Sequence, residues 1–255
     1  MGEVSKSRYM VQAGWRDVPH ISPEAQQELL DGTEPYLRDA RSKGIPNLGT
    51  GAIYPIHESE ITVPPFQIPD YWPRAYAMDV GWKNTAAMWG AKDPSDGVIY
   101  LYGEYKQGEA LPVVHASAIK TRGEWIKGAI DPASRGRSQR DGEQLFQEYR
   151  NLGLKLVPAE NAVDAGIYRV WSGLVQGRIK LFSTLSQTLK EYRMYHRVKK
   201  KDENGVEKVK IVKKDDHLMD CMRYLIATFD QIASVRPVDT TGQHAYQIAD
   251  QTAGY

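Results

Sequence analysis

The chain has 255 residues, 41% of them hydrophobic and 25% charged, and a formal net charge of +1. That composition is ordinary for a globular protein and large enough to bury a sizeable core without staples. It excludes a disulfide framework and a cysteine-based zinc site within one chain, since Cys221 is the single cysteine, and it excludes a global charge bias towards nucleic acid.

No apolar run approaches the 18 residues of a membrane span, and Met1–Arg8 lacks the apolar stretch of a secretory signal, so a reducing cytoplasm is the default expectation. Residues 1–74 are rich in turn formers. Ser22 with Pro23 and Glu24 reads as an N-cap with proline at the first helical position, opening a helix to about Leu30. A second short helix is expected over Glu34–Arg41. Residues 43–74 look extended, with Ile53, Tyr54, Ile56, Ile61 and Val63 as apolar anchors, and read as a connector that packs on something else.

Residues 75–232 are denser. Ala75–Gly81 is predicted as a strand, with Tyr76, Met78 and Val80 on one face and Ala75, Ala77 and Asp79 on the other. Thr85–Ala91 and Val98–Tyr105 follow as strands around the turn Asp93–Gly97, which suggests an antiparallel meander. A helix over Leu111–Lys127, a strand over Gly128–Asp131, a helix over Asp141–Leu152, a strand over Lys155–Pro158, a helix over Asp164–Gln176, a strand over Ile179–Phe182 and a helix over Leu185–Tyr195 complete the rhythm. Strands in a run and then alternating with helices predict an α/β fold with a mixed central sheet and helices on both faces. Tyr195–Lys214 breaks this pattern: two charged strands flank Asn204-Gly205, a strong hairpin signal. A final helix is expected over Asp216–Ile232, followed by a polar tail, residues 233–255, with the composition of a disordered segment.

Four aspartates carry the chemical signal: Asp79, Asp131, Asp216 and Asp220. Asp79 stands in a strand among small residues, where a bare carboxylate is costly to bury. Asp131 closes a strand, and strand ends are where α/β sheets expose their sites. Asp216 and Asp220 are four apart and share one helix face. Converging carboxylates repel unless divalent cations neutralise them, and oxygen donors without a His/Cys pattern favour Mg²⁺ or Mn²⁺. Two such ions about 3.5–4 Å apart clamp the attacking and leaving oxygens of a phosphodiester.

Plainer readings compete. Asp79 also fits a strand-end turn former and Asp131-Pro132 a common turn pair. Leu218, Met222, Leu225, Phe229 and Ile232 form an apolar stripe, and Asp216 and Asp220 lie about 160–200° from its centre, where residues are most often solvated. His115 reads as structural, and His217 as solvated or as touching a metal or phosphate. Gly44–Thr50 looks like half a phosphate loop without its lysine, so no ATPase site is expected. From Arg193 to Lys214, nine basic residues and three acids leave +6. Arg197, Lys199, Lys200, Lys201, Lys208, Lys210, Lys213 and Lys214 could hold DNA phosphates beside the acid cluster, or simply keep an edge soluble.

Three segments together resemble a known family. Tyr76–Trp82 is similar to its first catalytic strand, Gly128–Ser134 to its second acidic strand, and Lys214–Tyr224 to its Asp-Asp-x-x-x-Asp segment opening the last helix. In this order they resemble the C-terminal nuclease domain of the large terminase subunit of tailed bacteriophages. The resemblance covers about residues 70–232 and implies an RNase H-like fold with a protruding basic β-hairpin. Trp15–His20 and Ala40–Pro46 look like the end of that family's ATPase and linker. The implied division is residues 1–74 as ATPase end and linker, 75–232 as nuclease, and 233–255 as tail, so the chain is expected to be a C-terminal fragment.

By this resemblance Asp79, Asp131 and Asp216 would be catalytic metal ligands and Asp220 a fourth or supporting one. Many relatives carry Glu where this chain has Asp131. The implied activity is a two-metal-ion, Mg²⁺- or Mn²⁺-dependent endonuclease. It would cut concatemeric double-stranded phage DNA at the initiation and termination of packaging, in the host bacterial cytoplasm. Implied partners are double-stranded DNA, the procapsid portal, the small terminase subunit and the ATPase domain of the same polypeptide, with no membrane. The alternatives are another RNase H-like nuclease, such as a resolvase or transposase, or a non-catalytic DNA-binding or motor-docking module.

Overall fold

The computed structural model describes residues 13–17, 20–33, 38–43, 51–131, 139–201 and 207–237. A 3₁₀ turn over Trp15–Asp17 precedes helices α1 (Pro23–Asp31) and α2 (Arg38–Lys43), and α2 packs on both the turn and α1. Ser22 caps α1, its Oγ accepting the Ala25 amide at 3.3 Å, with Pro23 pre-set for the first turn.

The main body runs α3 (Glu58–Ile61), β1 (Thr62–Val63), β2 (Arg74–Asp79), β3 (Thr85–Lys92), β4 (Ile99–Gln107), α4 (Pro112–Lys120), β5 (Lys127–Ile130), α5 (Gln139–Asn151), β6 (Leu156–Pro158), α6 (Val163–Val175), β7 (Ile179–Phe182), α7 (Ser186–Met194), β8 (Arg197–Lys201), β9 (Glu207–Ile211) and α8 (His217–Ile232). Seven strands form one sheet in the order β1-β7-β4-β3-β2-β5-β6. β2, β3 and β4 are the expected antiparallel meander, and every other neighbour pair is parallel. β8 and β9 form a separate two-stranded ribbon, tied at its base where the Arg197 amide donates to Gly51 O at 2.8 Å. The Asn204-Gly205 turn predicted for it lies outside the described residues, as do residues 238–255 of the polar tail.

The two-residue period of the strands divides the core. Tyr76, Met78, Trp89 and Ile130 face α4 and α5, packing on Ala116, Ile119, Phe146 and Tyr149. Ala75, Ala77, Ala86, Met88 and Ala129 face α6, α7 and α8. Alanines on that face let α8 come down close across β2, β3 and β5. Gly90 serves the same approach: a Cβ there would meet Leu225 Cδ2 at 3.2 Å. The apolar stripe of α8, from Leu218 through Met222, Leu225 and Phe229 to Ile232, is buried as predicted. Each such side chain contributes about 1.5–3 kcal/mol by leaving water.

Two expectations change. The helix predicted to Lys127 stops at Lys120, because the chain turns through Gly123 at φ +132 and Lys127 already belongs to β5. The connector packs on the main body as expected, with Ile53, Tyr54, Ile61 and Trp72 buried, but it also adds a strand the sequence did not mark, β1 pairing with β7. The sheet therefore begins at Thr62 rather than Ala75, since apolar anchors spaced along an extended segment can cover a sheet edge without forming a domain of their own. At the other end Ser234 bridges Arg74, its amide donating to Arg74 O at 3.1 Å.

Candidate metal centre

The alternation that puts Ala75 and Ala77 under α8 carries Asp79 to the same face at the end of β2. Ala129 is on that face of β5, so Asp131, two residues on, follows it. The strands are parallel with Met78 opposite Ile130, and the Asp131 amide donates to Met78 O at 3.1 Å. Asp79 and Asp131 thus leave adjacent strands at their C-terminal ends, where neighbouring chains are about 4.8 Å apart. The start of α8 lies over this edge and brings Asp216, His217 and Asp220.

The competing reading of Asp216 and Asp220 as a solvated face does not hold. They are 7% and 8% exposed, because α8 packs on the sheet with one face and on α6 and α7 with others. A helix enclosed on several sides has no single solvated face. Both acids are matched by cations. Lys213 Nζ donates to Asp220 Oδ2 at 2.9 Å and lies 3.1 Å from Asp216 Oδ2. Arg223, itself buried, donates to Asp220 Oδ1 through its NH2 group at 3.0 Å. Gly166 of α6 makes room for that arginine: a Cβ there would sit 2.4 Å from Arg223 Cγ. Burial opposes the Lys213 charge, yet Asp220 and Asp216 outweigh it and raise its pKa.

His217 Nδ1 lies 2.7 Å from Asp79 Oδ2. That hydrogen bond raises the histidine pKa against the opposing effect of burial. The Tyr224 hydroxyl is raised first by burial and then by Asp131 and Asp220, with Asp79 adding, so one phenol senses carboxylates from both strands and from α8. It donates to Asn161 Oδ1 at 3.4 Å.

The donor set fits a hard divalent cation: carboxylate oxygens from two strand ends and a helix start, without a His/Cys cluster. Asp216 Oδ2 is buried and makes no hydrogen bond, its Lys213 neighbour standing off hydrogen-bond geometry. Among the described residues, no three His, Cys, Asp or Glu side chains converge closely enough as they stand to hold one ion. Ligation by three of them therefore needs side-chain rotation, with Lys213 and His217 yielding the oxygens they now face.

The structure brings the four predicted aspartates to one edge of the sheet and adds residues the sequence did not mark. Lys213, predicted to hold DNA, turns to Asp216 and Asp220. Arg223 and Glu191 lie in segments that carry the resemblance but were not marked as site residues; Arg223 stands inside the apolar stretch of α8, whereas Glu191 sits beside Lys190 in a polar helix that gives no such signal. His115 is buried, with Nδ1 2.7 Å from the Tyr105 hydroxyl, and is structural. Of the basic ribbon, Lys210 and Lys214 are exposed, and Arg197 lies 3.5 Å from Asp164. Lys199, Lys200 and Lys201 fall on β8 and Lys208 on β9, with Lys200 opposite Lys208 in register.

Comparison with known proteins adds to this geometry. A family model described as the Terminase RNaseH-like domain matches residues 76–229. The large terminase subunits of Enterobacteria phage LP7 and Salmonella phage P22 are each 32% identical to the chain over 230 residues, or 86% of it. The chain spans 46% and 44% of those two relatives, less than half their length. Among solved structures, the nuclease domain of the P22 large terminase matches with a TM-score of 0.64 and 31% identity, over 73% of this chain and 96% of that one. The large terminase of a thermophilic bacteriophage shares the fold, with a TM-score of 0.57 and 22% identity over 84% of this chain and 53% of that one. The mixed sheet with helices on both faces is RNase H-like.

Proposed function

The chain belongs to the terminase RNaseH-like domain family, and from that premise we propose that it is the metal-dependent endonuclease part of a viral DNA-packaging motor. The observation that carries the reading is the meeting of Asp79 and Asp131, from adjacent strand ends, with the first turn of α8 and its Asp216 and Asp220.

Asp79, Asp131 and Asp216 are the residues to hold two Mg²⁺ or Mn²⁺ ions, with Asp220 a fourth or supporting ligand. Bound there, the ions would supply activation of water and stabilisation of the leaving 3′ oxygen. The rest is done by the chain. His217 fixes the Asp79 carboxylate through Nδ1. Lys213 and Arg223 pair with the α8 carboxylates until the ligand set is assembled. The basic ribbon holds the duplex through its phosphates, which positions the backbone without reading sequence.

In this reading the substrate is concatemeric double-stranded phage DNA, cut when packaging starts and ends in the host cytoplasm. Residues 1–74 are the end of an ATPase and its linker, 75–232 the nuclease, and 233–255 a tail. The second half of the linker packs on the nuclease sheet through Ile53, Tyr54 and Ile61. The partners are the ATPase domain, the portal and the small terminase subunit. Among the described residues no helix is long and apolar enough to cross a membrane.

The test is conversion of supercoiled plasmid to nicked and linear forms with Mg²⁺ or Mn²⁺, with and without EDTA. Metal-stimulated cutting that EDTA abolishes is the expected result; undiminished cutting in EDTA would overturn the metal mechanism.

A further inference from the structure

We infer that Glu191 is a positioning residue for the metal centre: it caps α8 from the neighbouring helix α7, and so leaves the Asp216 carboxylate free to be a ligand. The inference rests on the metal-centre reading above.

An α-helix begins with backbone N–H groups that lack intrahelical partners, and the residue at the N-cap normally satisfies one with its own side chain. Aspartate is among the best residues for this. Asp216 occupies the N-cap of α8, yet its side chain makes no capping hydrogen bond. Its backbone, at φ −120 and ψ 11, departs from the extended conformation that a self-capping residue adopts. Asp215 before it is held at φ 51, a left-handed conformation that aspartate tolerates and that turns the chain sharply into the helix.

The cap comes from elsewhere. The Leu218 amide, at the second helical position, donates to Glu191 Oε2 at 2.7 Å across 27 residues of sequence. That amide is one of the donors an N-cap side chain would take. Glu191 is 3% exposed, and its other oxygen accepts from Lys106 Nζ at 2.6 Å. Lys106 also reaches within 3.9 Å of Asp215 Oδ1, so one lysine steadies both the capping acid and the turn. A buried carboxylate is costly unless paired and hydrogen-bonded, and here both oxygens are engaged. The helix dipole adds a favourable field at this end.

The chemistry explains the division of labour. A carboxylate that caps a helix commits lone pairs to amides and is aimed along the helix axis. Transferring that task to Glu191 lets Asp216 turn towards Asp220 and Lys213. Removing Glu191 leaves the Leu218 amide unpaired, and Asp216, at the N-cap itself, is the side chain placed by position to take it back.

Mn²⁺ binding measured by titration calorimetry, beside thermal melts in EDTA, tests this on the full chain. Glu191→Ala should keep a cooperative melt and bind Mn²⁺ about 10- to 100-fold more weakly, the usual loss when a group orienting a ligand is removed. Glu191→Gln paired with Lys106→Met keeps a carbonyl acceptor for the Leu218 amide while removing the ion pair, and should restore Mn²⁺ binding to near the wild-type level. A merely structural glutamate would lower the melting temperature of both variants without separating their metal affinities. If Glu191→Ala is folded and binds Mn²⁺ as wild type does, the inference falls. If Glu191→Ala does not fold, the double variant decides: near-wild-type binding supports the cap, and weakened binding overturns it. A wild-type chain that takes up no Mn²⁺ overturns the metal-centre reading itself, which is a distinguishable result.

Discussion

His217 Nδ1 and Asp79 Oδ2 stand 2.7 Å apart, joining the end of β2 to the start of α8 across 138 residues. This contact ties the two elements that carry the acids. It fixes the Asp79 side chain on the helix face of the sheet, and it draws the first turn of α8 down onto the strand ends. The same edge receives Asp131 from β5, so a histidine that the sequence left ambiguous orients a carboxylate of the candidate centre.

Replacing Asp79 or Asp131 with alanine should abolish metal-dependent plasmid cutting while leaving a folded protein. Asp79→Ala loses the His217 hydrogen bond, worth about 0.5–1.5 kcal/mol. For a domain of this size that moves the melting temperature by about 2–4 °C per kcal/mol, which a thermal scan resolves. Cutting at the wild-type rate by either variant removes that residue from the centre.

Lys213→Ala should destabilise the metal-free protein, because Asp216 and Asp220 then face each other without the ammonium between them. The lysine side chain is 55% exposed, so solvent screening holds the loss to about 1 kcal/mol. Excess Mg²⁺ should recover the difference, and Mn²⁺ should bind the variant more tightly than wild type. Denaturant melts in EDTA and in Mg²⁺ check this. Curves that match wild type under both conditions would show that the pair contributes nothing.

His115 gives a pH dependence away from the acids. Burial lowers its pKa from 6.5, partly opposed by a backbone hydrogen bond. The unfolded chain therefore binds a proton that the folded one refuses, so stability falls as pH drops through about 6.5 towards the folded value. The difference in unfolding free energy between about pH 8 and about pH 5 should be smaller in His115→Gln than in wild type. An identical pH dependence would assign the acid sensitivity to other groups.

Reversing Lys199, Lys200, Lys208 and Lys210 to Glu should weaken duplex binding for all DNA sequences and reduce cutting, with little change in Mn²⁺ affinity. If the ribbon meets about four phosphates, the log–log salt slope of wild-type binding should be near −4, and the variant should lose most of it. Among the described residues β8 and β9 form a sheet of their own, tied to the rest at its base, so the seven-stranded sheet should survive the reversal. Equal affinities and slopes in titrations of labelled duplex at two salt concentrations would take the ribbon out of the DNA path.

Much of this was legible in local patterns. The period-two alternation of Tyr76, Met78 and Ala75, Ala77 set which face Asp79 occupies, and the structure keeps that assignment. Ile179–Phe182 and the apolar stripe of the last helix came directly from composition and spacing. The early end of α4 was not legible, because Gly123 acts through a positive φ that the sequence permits but does not demand.

The sequence by itself determined most of the elements from Arg74 onward, their order and the faces of the strands, and it marked four aspartates as candidates. Periodicity acts through neighbours on one element, and it survives whatever packs around it. Only the tertiary structure decided the state of those aspartates. A helical wheel placed Asp216 and Asp220 away from the apolar stripe, but α6, α7 and the sheet enclose α8 on several sides, and Lys213 and Arg223 meet the acids there. Glu191 and Leu218 are 27 residues apart, and His217 and Asp79 are 138 apart. Hydrogen bonds of this kind exist only once separate elements have docked, so no spacing within a single helix or strand can encode them.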